Sequence, residues 1–98
     1  MPRIRFVVSP RARTDIDDIW DYTVEHWGER QAEIYLRLIE AAVDAVAADP
    51  KVGRACDDVR PGYRRYPVGS HVLFYRVTAT AIVVVRILHQ RMDVERHL

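Results

Sequence analysis

The apolar residues divide the chain into stretches of two different periods. Between Ser9 and Gly28, Ala12, Ile16, Ile19, Trp20, Thr23 and Trp27 recur at steps of three and four, the spacing that lines one face of an α-helix. Ser9-Pro10 supplies a start, because a serine oxygen can accept from the free amides of the first turn and proline at the first helical position loses no hydrogen bond. Gly28 supplies a stop, since glycine enters the left-handed conformation at little cost. The opposite face carries Arg11, Asp15, Asp18, Asp21 and Glu25, and we expect it to be solvated. From about Glu29 to Asp49, the residues Ala32, Tyr35, Leu38, Ile39, Ala42, Val43 and Val46 trace a second, wider arc. Pro50 ends it. So short a connection forces an antiparallel helical hairpin. Its Ala-rich end lets the backbones approach closely, and Trp20 and Trp27 are expected to supply much of the buried area.

Outside the hairpin the pattern is that of strands. Arg3 to Val8 alternates and then runs Phe6-Val7-Val8, which predicts a first strand. Pro50 to Asp58 has no period and reads as a loop. Val59 to Val68 alternates weakly and holds two prolines, which suits an edge strand. Gly69-Ser70 is a two-residue hairpin signal, and His71 to Thr78 follows as a strand. After a turn at Ala79-Thr80 comes Ala81 to Asp93, an apolar run rich in β-branched residues that closes on Arg86, His89, Gln90, Arg91 and Asp93. Strict alternation puts Ile82, Val84, Arg86 and Leu88 on one face and Val83, Val85, Ile87 and His89 on the other. Met92 to Leu98 reads as a short helical turn or a tail. The order predicts one α+β domain over residues 1–98, β-α-α-β-β-β. The helical hairpin packs on one face of a small, mostly antiparallel four-stranded sheet.

One hairpin covers one sheet face, and Val72, Phe74 and the two faces of residues 82–88 offer more apolar surface than that. An uncovered apolar face of this kind marks a partner site. Met92 and Leu98 are the chain's own means of covering it, and two residues cover little. We therefore expect a partner segment there.

Composition narrows the class. The 98 residues are 49% hydrophobic and 30% charged, as in a soluble globular domain. No apolar run is long enough to span a bilayer, and the first residues lack the features of a signal peptide. The single cysteine, Cys56, excludes an internal disulfide, fits a cytoplasmic location, and reads as a half-exposed bystander in a polar loop. The net charge of +1 hides an asymmetry: residues 1–58 hold 8 Lys/Arg and 12 Asp/Glu, and residues 59–98 hold 7 Arg and 2 acids. A half whose cations are all arginine points to an anionic partner. His71, His89, His97 and Cys56 have no metal-ligand spacing, so no metal site and no cofactor are expected.

Several blocks resemble one family. Ser9-Pro-Arg-Ala and Asp17-Asp-Ile-Trp-Asp-Tyr22 are similar to the first helix of ParE toxins, members of the ParE/RelE superfamily of type II toxin–antitoxin modules. Trp27-Gly28, Gln31-Ala32, Tyr35, Pro50-Lys-Val-Gly53 and Arg60-Pro-Gly-Tyr-Arg64 continue the match. The densest blocks are Gly69-Ser-His-Val-Leu-Phe-Tyr-Arg76 and Arg86-Ile-Leu-His-Gln-Arg-Met-Asp93. The resemblance implies a cytoplasmic bacterial toxin, neutralised by a ParD-like antitoxin and acting on DNA gyrase by binding, with no catalytic residue. It implies neither sequence-specific DNA binding nor a membrane. The alternatives are a RelE-type ribosome-dependent mRNA endonuclease and a non-toxic interaction module. The nuclease commonly places a Tyr or His acid–base residue near its C-terminus, and no Tyr follows the last strand here; Tyr75 is mid-strand. On this reading Arg60, Arg64, Arg65, His71, Arg86, His89, Arg91 and Asp93 contact the target. Ile16, Ile19, Trp20, Tyr35, Val72, Phe74, Val84 and Leu88 contact the antitoxin. A second reading of Arg86 makes it a partly buried cation paired with an acid such as Asp93.

Overall fold

A computed structural model describes residues 5–98. The elements run β1 (Phe6–Val8), α1 (Pro10–Trp27), α2 (Glu29–Ala48), β2 (Arg54–Ala55), β3 (Tyr63–Val68), β4 (His71–Val77), β5 (Ile82–His89) and α3 (Val94–His97). The sheet order is β1-β5-β4-β3-β2. β1 lies parallel to β5, and every other neighbouring pair is antiparallel. The Arg3 and Ile4 part of the expected first strand lies outside the described residues. The expected four strands become five because Arg54 and Ala55, inside the presumed loop, pair with Arg65 and Arg64. A two-residue strand carries no period to read. No described helix is long and apolar enough to cross a membrane.

The helices start and stop where their end residues dictate. Ser9 Oγ accepts from the Ala12 amide at 3.1 Å, and Gly28 takes a φ of 91° between the two helices. The hairpin packs on one face of the sheet. Ala12, Ile39, Val43, Val46 and Ala47 meet Leu73, Tyr75, Ile82, Val84 and Ile87 in the main core. Trp20 is half-buried, but Trp27 is 72% exposed and adds little to that core. Trp27 is the last residue of α1 and belongs to neither hydrophobic cluster.

The strict alternation expected for the last strand breaks at Val85. Tyr75 pairs with Val84 and Phe74 with Arg86, leaving Val85 as the extra residue of a bulge. From there on the faces exchange, so Ile87 joins Ile82 and Val84 against the helices, while Arg86 and Leu88 turn to the other side. The bulge sits where β1 gives way to α1. There the Ser9 amide donates to the Val84 carbonyl at 2.9 Å and Ser9 Oγ to the Val85 carbonyl at 2.8 Å.

The second face is not bare. Cys56, Phe74 and Leu88 form a smaller core, covered by Val59, Tyr63, Val72, Val94 and Leu98. The expectation of an open face is therefore corrected: the 56–63 loop and α3 close over it. Cys56, expected to be half-exposed, is fully buried, and burial pushes its thiol above the ordinary range. Met92 remains exposed, and the covering is done by Val94 and Leu98.

Arg86 ties these layers together. Its Nε and Nη2 donate to the two oxygens of Asp15 at 2.8 and 2.9 Å, and its Nη1 donates to the His97 carbonyl at 2.8 Å. Asp15 Oδ2 also accepts from the Ile87 amide at 2.9 Å. One carboxylate thus serves α1, the edge of β5 and the arginine, while the arginine holds α3. Both side chains are 11% exposed. The partner of Arg86 is Asp15 rather than Asp93, and Asp15 does not belong to the solvated helix face. Asp93 instead caps α3, accepting from the Glu95 amide at 3.2 Å.

Asp15→Ala strands a buried guanidinium and a strand amide. It is expected to lower the unfolding free energy by about 3 kcal/mol. Asp15→Leu combined with Arg86→Met is expected to recover most of that loss, because an apolar pair carries no desolvation penalty. Urea unfolding followed by circular dichroism reads both variants. A loss below about 1 kcal/mol for Asp15→Ala would class the pair with ordinary surface ion pairs.

Candidate functional site

The residues singled out in the sequence separate into three places. The first is a groove of about 600 Å³ between the end of α1, the start of α2 and the β3–β4 turn. Tyr22, Trp27, Tyr35, His71 and His89 line it, and Asp18 borders its extension along α1. The β4–β5 register sets His71 opposite His89, and their rings meet edge to face at 5.3 Å between centroids. Tyr35 reaches across from α2. Its oxygen accepts from the Ser70 amide at 2.9 Å and lies 2.6 Å from His71 Nδ1. His71 Nδ1 and the Val68 carbonyl, 3.2 Å away, are the two groups within reach of the phenol proton. Gly69 is required here on two grounds: its φ is 57°, and a Cβ would lie 2.6 Å from the Tyr35 oxygen.

The second place is the far face of the sheet and its margin. Arg60 donates to the Leu98 carbonyl and lies over the Tyr63 ring. Arg64 donates to the Gly53 and Lys51 carbonyls, so it braces the β2 loop. Arg65 stands directly opposite Arg54. Tyr75, the one tyrosine within the strand that could be weighed as an acid–base group, is fully buried. Its hydroxyl donates to the Pro50 carbonyl at 2.8 Å and accepts from the Gly53 amide at 3.0 Å. The third place is the segment after β5, where Arg91 is exposed and its amide donates to His89 Nδ1 at 3.1 Å.

Of the eight expected target contacts, only the side chains of His71 and His89 meet, and the Arg91 amide bonds to His89. Arg86 is consumed by Asp15 and His97, and Asp93 by its cap. Of the eight expected antitoxin contacts, Val84, Phe74 and Leu88 are buried in the chain's own two cores and offer a partner no surface. Ile16, Ile19 and Tyr35 are half-buried against the main core, and Val72 against the smaller one. On the hairpin, Tyr22, Trp27, Ile34 and Leu38 stand open, and elsewhere Phe6, Val7, Val52, Val77 and Met92 are exposed. The helical period could have exposed Ile34 and Leu38, since neither lies at the centre of the arc that Ile39 and Val46 define.

Burial, reinforced by the neighbouring His89 and partly opposed by Asp15, holds His71 below the ordinary imidazole value. The unfolded chain therefore binds this proton at a higher pH than the folded chain does. Stability from this group is present above the unfolded value of about 6.5 and falls as the pH drops towards the depressed folded value. His71→Gln is expected to flatten the loss of stability between pH 7.5 and pH 5.5, measured as the urea midpoint at each pH. An unchanged slope would mean that His71 titrates as it does in the unfolded chain.

The chain resembles known proteins over most of its length. The model of the ParE toxin of the type II toxin–antitoxin system parDE matches residues 6–94. Toxin ParE1 of Mycobacterium tuberculosis (strain H37Rv) is 55% identical over 95 residues, covering 96% of this chain and 97% of the relative. Toxin ParE1 of Caulobacter vibrioides is 43% identical over 91 residues, covering 93% and 94%. Among solved structures, a chromosomal ParDE system from P. aeruginosa superimposes with a TM-score of 0.78 at 21% identity, over 89% of this chain and 96% of that one. The toxin–antitoxin complex RelBE2 of Mycobacterium tuberculosis does so with a TM-score of 0.68 at 20% identity, over 91% and 100%. The two structures share the fold of a helical hairpin on a small sheet, and the sequence matches go further: this chain belongs to the ParE toxin family of type II toxin–antitoxin systems.

Proposed function

We propose that this toxin acts by binding rather than by catalysis, that its target is DNA gyrase, and that a ParD-like antitoxin holds it inactive in the cytoplasm. Family membership supports the toxin role. One observation supports binding over RNA cleavage: the groups such a reaction needs are already committed to the fold. Cleavage at a 2′-hydroxyl requires a free base and cations on the developing phosphorane charge. Tyr75 is buried and bonded at both sides of its hydroxyl. Arg86 neutralises Asp15. His71 and His89 touch each other, so no phosphate fits between them, and no arginine is among the residues lining their groove.

The surface that suits partners includes the exposed apolar residues of the hairpin and the exposed arginines of the basic half. Tyr22, Trp27, Ile34 and Leu38 suit an amphipathic antitoxin segment. Arg60 and Arg91 remain at the surface for the target, with His89 at the mouth of the groove.

Production of the chain alone in bacteria is expected to stop growth, to cause gyrase-dependent double-strand breaks, and to leave mRNA intact in a translating extract. Purified chain is expected to inhibit supercoiling by gyrase. Codon-specific mRNA cleavage with normal supercoiling would overturn this reading in favour of a ribosome-dependent nuclease. Unaffected growth at good soluble yield would remove both toxin readings and leave an interaction module.

A further inference from the structure

Arg54 and Arg65 occupy directly opposed positions on β2 and β3. In an antiparallel pair this brings the two Cβ atoms to about 5 Å, and like charges so placed repel. Among the described residues neither guanidinium forms an ion pair or a side-chain hydrogen bond. The nearby acids are otherwise placed. Asp57 accepts from the Gly62 amide at 2.7 Å, and Asp58 sits beside Cys56 without bridging to Arg65. Arg54 is exposed and Arg65 half-buried, and two like charges held side by side would be relieved by one anion set between them.

The pair stands at the rim of a groove of about 580 Å³, whose remaining walls are Val52, Tyr66, Pro67 and Val72. The groove follows β3 past the end of β2, which pairs only with Arg64 and Arg65. Strand addition is disfavoured there, because Pro67 has no amide hydrogen and the Tyr35 hydroxyl already stands 3.2 Å from the Val68 carbonyl. Recognition must then run through side chains: two cations at one end, aliphatic and aromatic walls along the rest. A nucleic acid would need further cations along its backbone, and the walls supply none.

We propose that this groove takes the antitoxin's neutralising segment, one carboxylate seated between Arg54 and Arg65 and adjoining aliphatic side chains laid against Val52, Tyr66, Pro67 and Val72. The assignment rests on the antitoxin reading above and moves Arg65 from the target to the antitoxin. The probe is the product of the reading frame adjacent to this gene, co-produced with the full-length chain and then titrated against it.

Arg54→Glu and Arg65→Glu are each expected to weaken that complex at least ten-fold and to reduce its sensitivity to salt. Arg13→Glu, an identical charge change on exposed α1 surface, is expected to leave it unchanged. Thermal unfolding of each variant confirms that the fold survives. Replacing one acid of the antitoxin by arginine is expected to restore binding to Arg65→Glu. A wild-type complex that both variants form with unaltered affinity would overturn the groove assignment alone, whereas failure of the wild-type chain to form any complex would overturn the antitoxin reading with it. Tight binding of single-stranded RNA that depends on the same two arginines would also overturn the assignment.

Discussion

A bidentate ion pair between Arg86 and Asp15 holds this small fold together, and most other features follow from its placement. A guanidinium inside an apolar sheet needs a carboxylate, a carbonyl and partial exclusion of water before it is tolerated. Asp15 supplies the carboxylate from the second turn of α1, and His97 supplies the carbonyl from α3. The same carboxylate caps the Ile87 amide where β1 has ended, so a helix takes over the edge of β5 from a strand. The arginine's charged state is correspondingly reinforced, chiefly by the hydrogen bond to Asp15. The pair therefore sets three things together: the angle of α1, the bulge at Val85 and the position of α3.

The bulge shows where a sequence reading runs out. Helix ends at Ser9-Pro10, Gly28 and Pro50, and the turn at Gly69-Ser70, were legible because each needs a residue with a special backbone or capping property. The alternation through residues 82–88 was legible only up to the bulge, because an apolar run offers no polar marker for a slipped residue. Arg86 was legible as a cation needing an acid, but its partner lies 71 positions away. One signal was present: at three-residue spacing from Ala12, Asp15 falls beside the apolar face rather than opposite it. The two-residue β2 and the four-residue α3 are too short to carry a period, so the closing of the second sheet face stayed invisible.

The candidate site was legible in type more than in place. The arginines of the basic half divide between structural duty and free surface. Arg60, Arg64 and Arg86 are bonded into the fold, and Arg65 is not. Tyr35, expected to meet a partner, also locks the β3–β4 turn through Ser70 and His71. Trp27, expected in the core, stands exposed at the groove mouth. In each case a polar tip found a tertiary partner, or a residue at a helix end was left outside the core, and neither event is written in local periodicity.

The central claim is that Arg86 holds α3 over the smaller core. The thiol of Cys56 reports on this directly, because it is fully buried in the cluster that Val94 and Leu98 cover. The measurement is the rate at which an aromatic disulfide reagent labels Cys56 in native buffer, in the wild-type chain and in the Asp15→Leu, Arg86→Met double variant. That variant keeps the pairing of α1 with β5 apolar but removes the donor to His97. The account predicts labelling at least ten-fold faster in the double variant at matched global stability. Equal protection of Cys56 in two equally stable chains would contradict it.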